Sequence, residues 1–407
     1  MLRELKHLLH IFARSASHEW HYLGRHRWDR IMLIWAPLVT ILLMWWIFSA
    51  GQITKLPIGV WDQDNSAPSR QLVRYLNSAP GVQVTEQYTD SLSAERALDS
   101  VHVYGVVIIP QDFAPNLKTG STSPVALQFN AQFGTHSGIV QRAVQSVVAT
   151  FSAGVEIRAR NNRGQAYEQA KDTQTTVRTA AVTLFNLSSN YQKAFAATMI
   201  PALLHILGMV AGTYAIGREI RDHDLGNWLK FSTADTHPDV APNFWEIAFA
   251  LNGKLLWAML SFTIWAGLTL LFVAGTTEAV IWSWLATFLG LWLMMLVSLW
   301  MGVIASAGSL SLRMGLSLTG FITAPAFAFS GVAFPLLAMS AGARIWANIL
   351  PLTHYLHLQI NQLEMNAPAW WAISTLLGFI CAVIILLLIS TGLTQRALRY
   401  PERWGAR

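Results

Sequence analysis

AATMIPALLHILGMVAGTYAIGREIRDHDLGNWLK, residues 196–230, carries the reading of the fold. Its first part, Ala196–Ile216, contains no Lys, Arg, Asp or Glu. An α-helix needs about 20 predominantly apolar residues to cross a bilayer, and this run supplies them. The second part, Gly217–Lys230, gathers Arg218, Glu219, Arg221, Asp222, Asp224 and Lys230 in one short connector. Across all 407 residues only 12% are charged and 53% are hydrophobic. Soluble domains carry roughly a quarter charged residues, so the composition is that of a membrane protein.

Five more runs have the same character. The spans expected are Ile31–Ser49, Ala196–Ile216, residues 253–274, residues 280–305, residues 314–335 and Trp370–Leu393. Lys254 stands at the mouth of the third and reads as a snorkelling cap. Arg218 and Glu219 read as the end of the second. Pro325 lies inside the fifth, which is tolerable where neighbouring helices re-satisfy the freed carbonyl. Lys and Arg then set the direction. The first 30 residues hold Arg3, Lys6, Arg14, Arg25, Arg27 and Arg30; the tail holds Arg396, Arg399, Arg403 and Arg407. The connector 217–244 holds Arg218, Arg221 and Lys230, and the turn between spans four and five holds Arg313. On the other side, the loop 336–369 holds only Arg344. Positive-inside bias expects both termini and the connector in the cytoplasm, in an inner (cell) membrane. The net charge of +6 therefore points to membrane lipid headgroups and not to nucleic acid.

Residues 1–30 are basic and amphipathic, with Leu2, Leu5, Leu8, Leu9 and Phe12 on one face. They read as an interfacial helix rather than a cleaved signal peptide; the alternative is an ordinary amphipathic helix packed on protein. Residues 52–193 have a soluble domain's composition. Strands are expected at PIGVWD, VQVTEQY, VYGVVIIP and VALQFN, alternating with helices at SAPSRQLVRYLNSAPG, with Ser66 as N-cap, and at SLSAERALDS. From Ser137 to Lys193 two helices are expected, broken at Arg158–Gln165. The fold class is an α-helical polytopic membrane protein of six transmembrane helices, with an α/β extracytoplasmic domain inserted between spans one and two. Spans two to six form the remainder, residues 194–407.

Enzymatic chemistry is hard to place on this chain. A P-loop needs Gly-x4-Gly-Lys-Ser/Thr; at Gly253–Lys254 the next residue is Leu255, and Ala248 stands where the first Gly belongs. The pairs His7/His10, His18/His21 and His354/His357 lack further metal ligands nearby. Asp62 and Asp64 lack the Gly and distal Glu of a calcium loop and read as a capped turn. With one cysteine, Cys381, the chain can form no internal disulfide. His205, an ionisable group inside span two, is a functional candidate by depth alone; the plainer reading is a neutral histidine hydrogen-bonded to a neighbouring helix.

Two segments resemble the permease subunit of type-two ABC exporters. After the second span that family carries Arg-acid-x-acid-x-Gly-Thr. Here RDHDLGN places Arg221, Asp222, Asp224, Gly226 and Asn227 in those positions, with Asp for Glu and Asn for Thr. At the end of the fifth span the family shows Ser-Gly, Phe-Pro, Met and Pro-Leu-Thr. Here these are Ser330, Gly331, Phe334, Pro335, Met339, Pro351, Leu352 and Thr353, with Ser340–Ala341 where Pro often follows the Met. The layout is similar to the bacterial drug-efflux subgroup with a large periplasmic domain. The resemblance implies a non-catalytic chain that takes work from a separate ATPase subunit, which alone would hold ATP and Mg. It also implies a second permease chain, and in some systems a periplasmic adaptor and outer-membrane channel. Arg221–Asn227 would be the ATPase contact, with Gly226 ending its helix. Pro335 would break span five, and the residues after it would form short re-entrant helices. Phe327, Phe329 and Phe334 would form an outer gate, with Pro335, Met339 and His205 as further pathway candidates. The competing class is a non-transporting receptor or scaffold whose outer domain binds a ligand.

Overall fold

The computed structural model describes residues 2–119, 121–162, 190–225, 242–274 and 279–405. It divides into two compact units, Met1–Gly51 with Leu184–Arg407, and Gln52–Thr183.

Among the described residues, the first unit holds six helices long and apolar enough to cross a membrane. They are span one (Arg27–Ile47), two (Gln192–Arg221), three (Phe244–Val273), four (Ile281–Ser309), five (Leu312–Phe329) and six (Ala369–Arg399). Their burial orders the bundle. The most apolar windows of spans two and four are 61% and 72% buried, against 17%, 22% and 11% for spans one, five and six. Spans two and four are therefore the axis, and the others present wide apolar faces outward. That axis is made by glycine. A methyl placed on Gly212 would stand 2.0 Å from the Leu299 carbonyl oxygen, and one on Gly302 would stand 2.1 Å from the Met209 carbonyl oxygen. Each backbone thus fills the side-chain space of the other, the small-residue solution for helix association in lipid. Hydroxyls add cross-links where there is no water to compete. Thr213 Oγ1 lies 2.7 Å from Thr319 Oγ1, joining spans two and five.

Span five differs from its expected bounds. Its helix bends at Pro325 and stops at Phe329, where Ser330 Oγ donates to the Phe327 carbonyl and Gly331 turns the chain at φ +85°. Pro335 therefore does not break the span. It precedes a single 3-10 turn, Leu336–Ala338, beyond the helix end. Two short helices follow, Ala341–Ile349 and Pro351–Gln359. Gln359 Nε2 donates to the Ala197 carbonyl at 2.9 Å and ties them to the start of span two. Glu364 is half-buried at the end of the next turn.

The second unit is built on a four-stranded sheet in the order β2-β1-β3-β4. The strands are β1 (Leu56–Asp62), β2 (Val82–Tyr88), β3 (Gly105–Ile109) and β4 (Ala126–Phe129). β1 runs parallel to β2 and β3, and β4 is antiparallel to β3. Side chains alternate across the sheet with period two. Ile58, Val60, Val107 and Ile109 share a core with Leu72, Leu76, Val140 and Val144, while Val106 joins Ala94 and Ala97. Helices Ala67–Ser78 and Gly134–Asn162 thus cover one face, and Ser91–Asp99 covers the other. Phe113–Thr119 is a helix the sequence reading did not expect. Gly134–Asn162 is helical through the first five residues of the expected break, 158–162; residues 163–189 lie outside the described residues. Asp62 acts as a cap: its Oδ1 accepts from the backbone N–H groups of Asp64 and Asn65, and its Oδ2 from Ser69 Oγ at 2.6 Å.

Candidate functional site

The N-terminal helix, α1 (Leu2–Arg25), lies along span three. Its buried side is Ile11, Ser15, Ala16, Glu19 and Leu23, a helical stripe with small residues where the helices meet. Gly253 makes the approach possible, since a methyl there would stand 2.3 Å from the Phe12 carbonyl oxygen. Ser15 Oγ donates to the Ala250 carbonyl at 2.7 Å, and Trp257 Nε1 to the Ala16 carbonyl at 2.8 Å. Leu5, Leu9 and Trp20 remain exposed, the Trp20 ring lying 4.4 Å from that of Trp257 on span three. The helix is therefore anchored on protein along its buried stripe and keeps apolar side chains exposed beside it.

Glu19, on the buried stripe, opens an ion cluster. The Arg218 guanidinium donates to both Glu19 carboxylate oxygens and, 3.0 Å away, to Asp29 Oδ1. Its flat face covers the Tyr22 ring at 3.8 Å. Lys254 Nζ donates to Glu19 Oε2 at 2.9 Å and to Glu219 Oε1 at 2.6 Å. All five charged groups are at most 4% exposed. This corrects two expectations. Arg218 and Glu219 do not merely end span two, and Lys254 does not snorkel to solvent. Desolvating a charge costs several kcal/mol, and only a carboxylate bridging two cations and a cation bridging two carboxylates make that burial tolerable. The cluster joins α1, the start of span one, the end of span two and span three at one point.

One turn beyond, span two ends in a Schellman motif. The Asp224 N–H reaches the Glu219 carbonyl at 2.8 Å, the His223 N–H reaches the Ile220 carbonyl at 3.3 Å, and His223 holds φ +56°. A non-glycine residue rarely takes that conformation. Here the His223 ring stacks on Trp404, 5.9 Å away, and Trp404 Nε1 donates to the Ala397 carbonyl. The helix of span two stops at Arg221. Gly226, expected to end the coupling helix, and Asn227 lie outside the described residues. Arg221 and Asp222 form a two-pronged pair at 2.7 and 2.9 Å, about half exposed. The hydrogen bonds from Arg221 hold the Asp222 carboxyl below its usual 3.8, so it is ionised at neutral pH. Asp224 is half-buried beside them, and Leu225 is fully buried among Ile216, Ile220 and Ile247. The arrangement is a charged exposed knob on a rigid base.

The family model for ABC-2 family transporter proteins matches residues 27–393. The chain belongs to that family. A comparison with curated proteins finds no match.

For an ABC-2 permease the other candidates fall as follows. His205 is fully buried between spans two and four. Ser298 Oγ donates to the Met294 carbonyl at 2.7 Å, so it accepts from His205 Nδ1–H, also at 2.7 Å. That places the proton on Nδ1 and leaves Nε2 a lone-pair atom without a partner among the described residues. Phe327 and Phe329 pack partly buried on the main core, whereas Phe334 is half exposed. Pro335 is exposed, and Met339 is buried. Of the histidine pairs, His7 bonds Glu246 at 3.0 Å, and His354 bonds the Asn348 carbonyl at 2.8 Å.

The permease's ion cluster makes its stability depend on pH. Burial alone would raise the Glu19 carboxyl, but Lys254 and Arg218 outweigh it and hold it below its usual 4.5. A depressed carboxylate stabilises fully above its unfolded value and loses that contribution as pH falls through the folded one. The gap in thermal midpoint between the wild type and Glu19→Gln in detergent is therefore expected to be constant from pH 7 to 5 and to shrink below about 4.5. A constant gap down to pH 3 would remove Glu19 from the charged state assigned to it.

Proposed function

We propose that this ABC-2 permease is the membrane half of an ATP-driven exporter, moving an amphiphilic or drug-like substrate out of the cytoplasm or inner membrane. A separate ATPase subunit would bind ATP and Mg and dock at Arg221–Asp222 and the residues that follow. Two permease chains, identical or paralogous, would enclose the pathway. Both termini would face the cytoplasm, and the α/β unit after span one would lie outside, where an adaptor leading to an outer-membrane channel could dock.

The observation that carries this reading is the knob at the end of span two. A partner's push must reach the bundle without being absorbed by a loop. The Schellman turn fixes Asp222–Asp224 to the helix end, and the ion cluster fixes that end to three other elements. Span two in turn meets span four backbone to backbone at Gly212 and Gly302. Force on the knob therefore moves the two axial spans as a pair.

Charge reversal tests it. Like charges brought together across an interface cost several kcal/mol, so Asp222→Lys should lower recovery of the co-purified ATPase by about tenfold or more. Asp224→Ala should reduce transport while leaving the permease's thermal midpoint unchanged. If a pull-down of the solubilised protein brings no ATPase and Asp224→Ala leaves export intact, the reading fails.

A further inference from the structure

Beside the ion cluster, on the outer side of the bundle, an open groove of about 560 Å³ lies between α1, span one and span three. Its size is in the range of pockets that bury small ligands, roughly 300–1,000 Å³. Trp20, Ile34, Leu260, Ile264 and Trp265 give it apolar walls, and Arg30 stands in its lining.

The polar side chains that span three brings to the groove are already used. Span one is wound as a π-helix at Ile31–Trp35, which redirects carbonyls from the usual ladder. The Leu33 carbonyl takes two donors from span three, Ser261 Oγ at 2.6 Å and Trp265 Nε1 at 2.8 Å. Trp257 Nε1 is committed to Ala16. The wall made by span three therefore offers an occupant apolar contact. Arg30 is different: it is exposed, and the neighbouring Asp29 is taken by Arg218. Arg25 and Arg27, also exposed, precede it in the chain. An occupant complementary to this groove has an apolar chain and an anionic head.

We infer that the groove holds an anionic glycerophospholipid, its phosphate at Arg30 and one acyl chain along Ile34, Leu260 and Ile264. Arg25 and Arg27 widen the preference for an anionic headgroup over a zwitterionic one. The cytoplasmic leaflet is the source if the orientation proposed above holds; the chemistry of the groove does not depend on it. A lipid there would brace α1 against spans one and three from the side opposite the ion cluster.

The test uses the purified full chain in detergent and counts bound lipid by native mass spectrometry. The probes are phosphatidylglycerol and phosphatidylcholine with identical acyl chains. Phosphatidylglycerol should bind more tightly, and Arg30→Ala should erase about fivefold of that preference, the factor expected for one Arg at an anionic headgroup. Gly24→Trp is a plug: Gly24 lines the groove and a methyl on it would meet nothing within 4 Å. It should weaken both lipids while the thermal midpoint stays near wild type. Equal binding of the two lipids, or a preference that Arg30→Ala leaves undiminished, would overturn the assignment. So would a Gly24→Trp protein that keeps its lipid but loses self-association or ATPase recovery, because the groove would then be a protein interface. ATPase docking is read separately at Asp222, so loss of that reading and loss of this one are distinguishable.

Discussion

Gly302→Leu is expected to yield almost no monodisperse protein. A side chain at Gly302 begins 2.1 Å from the Met209 carbonyl oxygen and 2.5 Å from the Thr213 N–H nitrogen, and both are backbone. No rotamer change relieves such a contact, so spans two and four must separate. Overpacking a core that can adjust costs about 1–3 kcal/mol. Separation would also strip the reciprocal contact at Gly212 and strain the His205–Ser298 hydrogen bond between the same spans. The expected cost is therefore above about 3 kcal/mol, a large part of a typical total of 5–15 kcal/mol. Size-exclusion chromatography of the detergent extract checks it. Gly378→Leu in span six, where a methyl meets nothing within 4 Å, is the control and should behave as wild type. Equal yields from the two variants would mean that the axis does not depend on the glycine crossing.

The spans and the strands were legible for one reason: each is a local pattern, either an apolar run of sufficient length or a period-two alternation. The strand β2 was read at its observed bounds, Val82–Tyr88, and Ser66 caps the helix that precedes it. Ends were harder where two signals competed. Pro335 looked like the breaker of span five, but the helix had already stopped at Phe329 by way of Pro325 and Gly331. The ion cluster was invisible because its pairs are remote in sequence, with Glu19 and Lys254 separated by 235 residues. Counting Lys and Arg by loop gives a side of the membrane; it does not give a partner. One signal did exist. Glu19 follows Ile11 and Ser15 at helical spacing, so it interrupts the stripe that ends in Leu23. A carboxylate on a face meant for packing asks for a buried cation, and Lys254 inside an apolar run asks for the converse. The proposed ATPase contact was half legible: Arg221 and Asp222 are about half exposed, while Gly226 and Asn227 fall outside the described residues.

Lys254→Met should be among the most damaging polar substitutions, and its rescue would prove the reason. Lys254 Nζ lies between Glu19 and Glu219, bonded to both. Met keeps the length and apolar bulk of the stem but removes the charge. Arg218 must then balance Glu19, Asp29 and Glu219 alone, and a carboxylate is left buried without compensation. Removing one partner of a buried pair costs about 3–5 kcal/mol, because the remaining charge stays desolvated. The strain falls if a carboxylate takes up a proton, so the loss should be smaller at pH 5 than at pH 8. Glu219→Gln in the Lys254→Met background removes the excess charge and should recover most of the lost thermal midpoint in detergent. The two changes are in contact and should be far from additive. Transport gives the second readout. If the cluster is what joins α1 to the end of span two, Lys254→Met should uncouple ATP hydrolysis from export even at temperatures where it stays folded. The double variant would then regain stability more fully than coupling, because it restores the wild-type charge balance without the bridge between Glu19 and Glu219. A Lys254→Met protein as stable as wild type, or a double variant no better than the single one, would show that the buried charges are held by something other than each other.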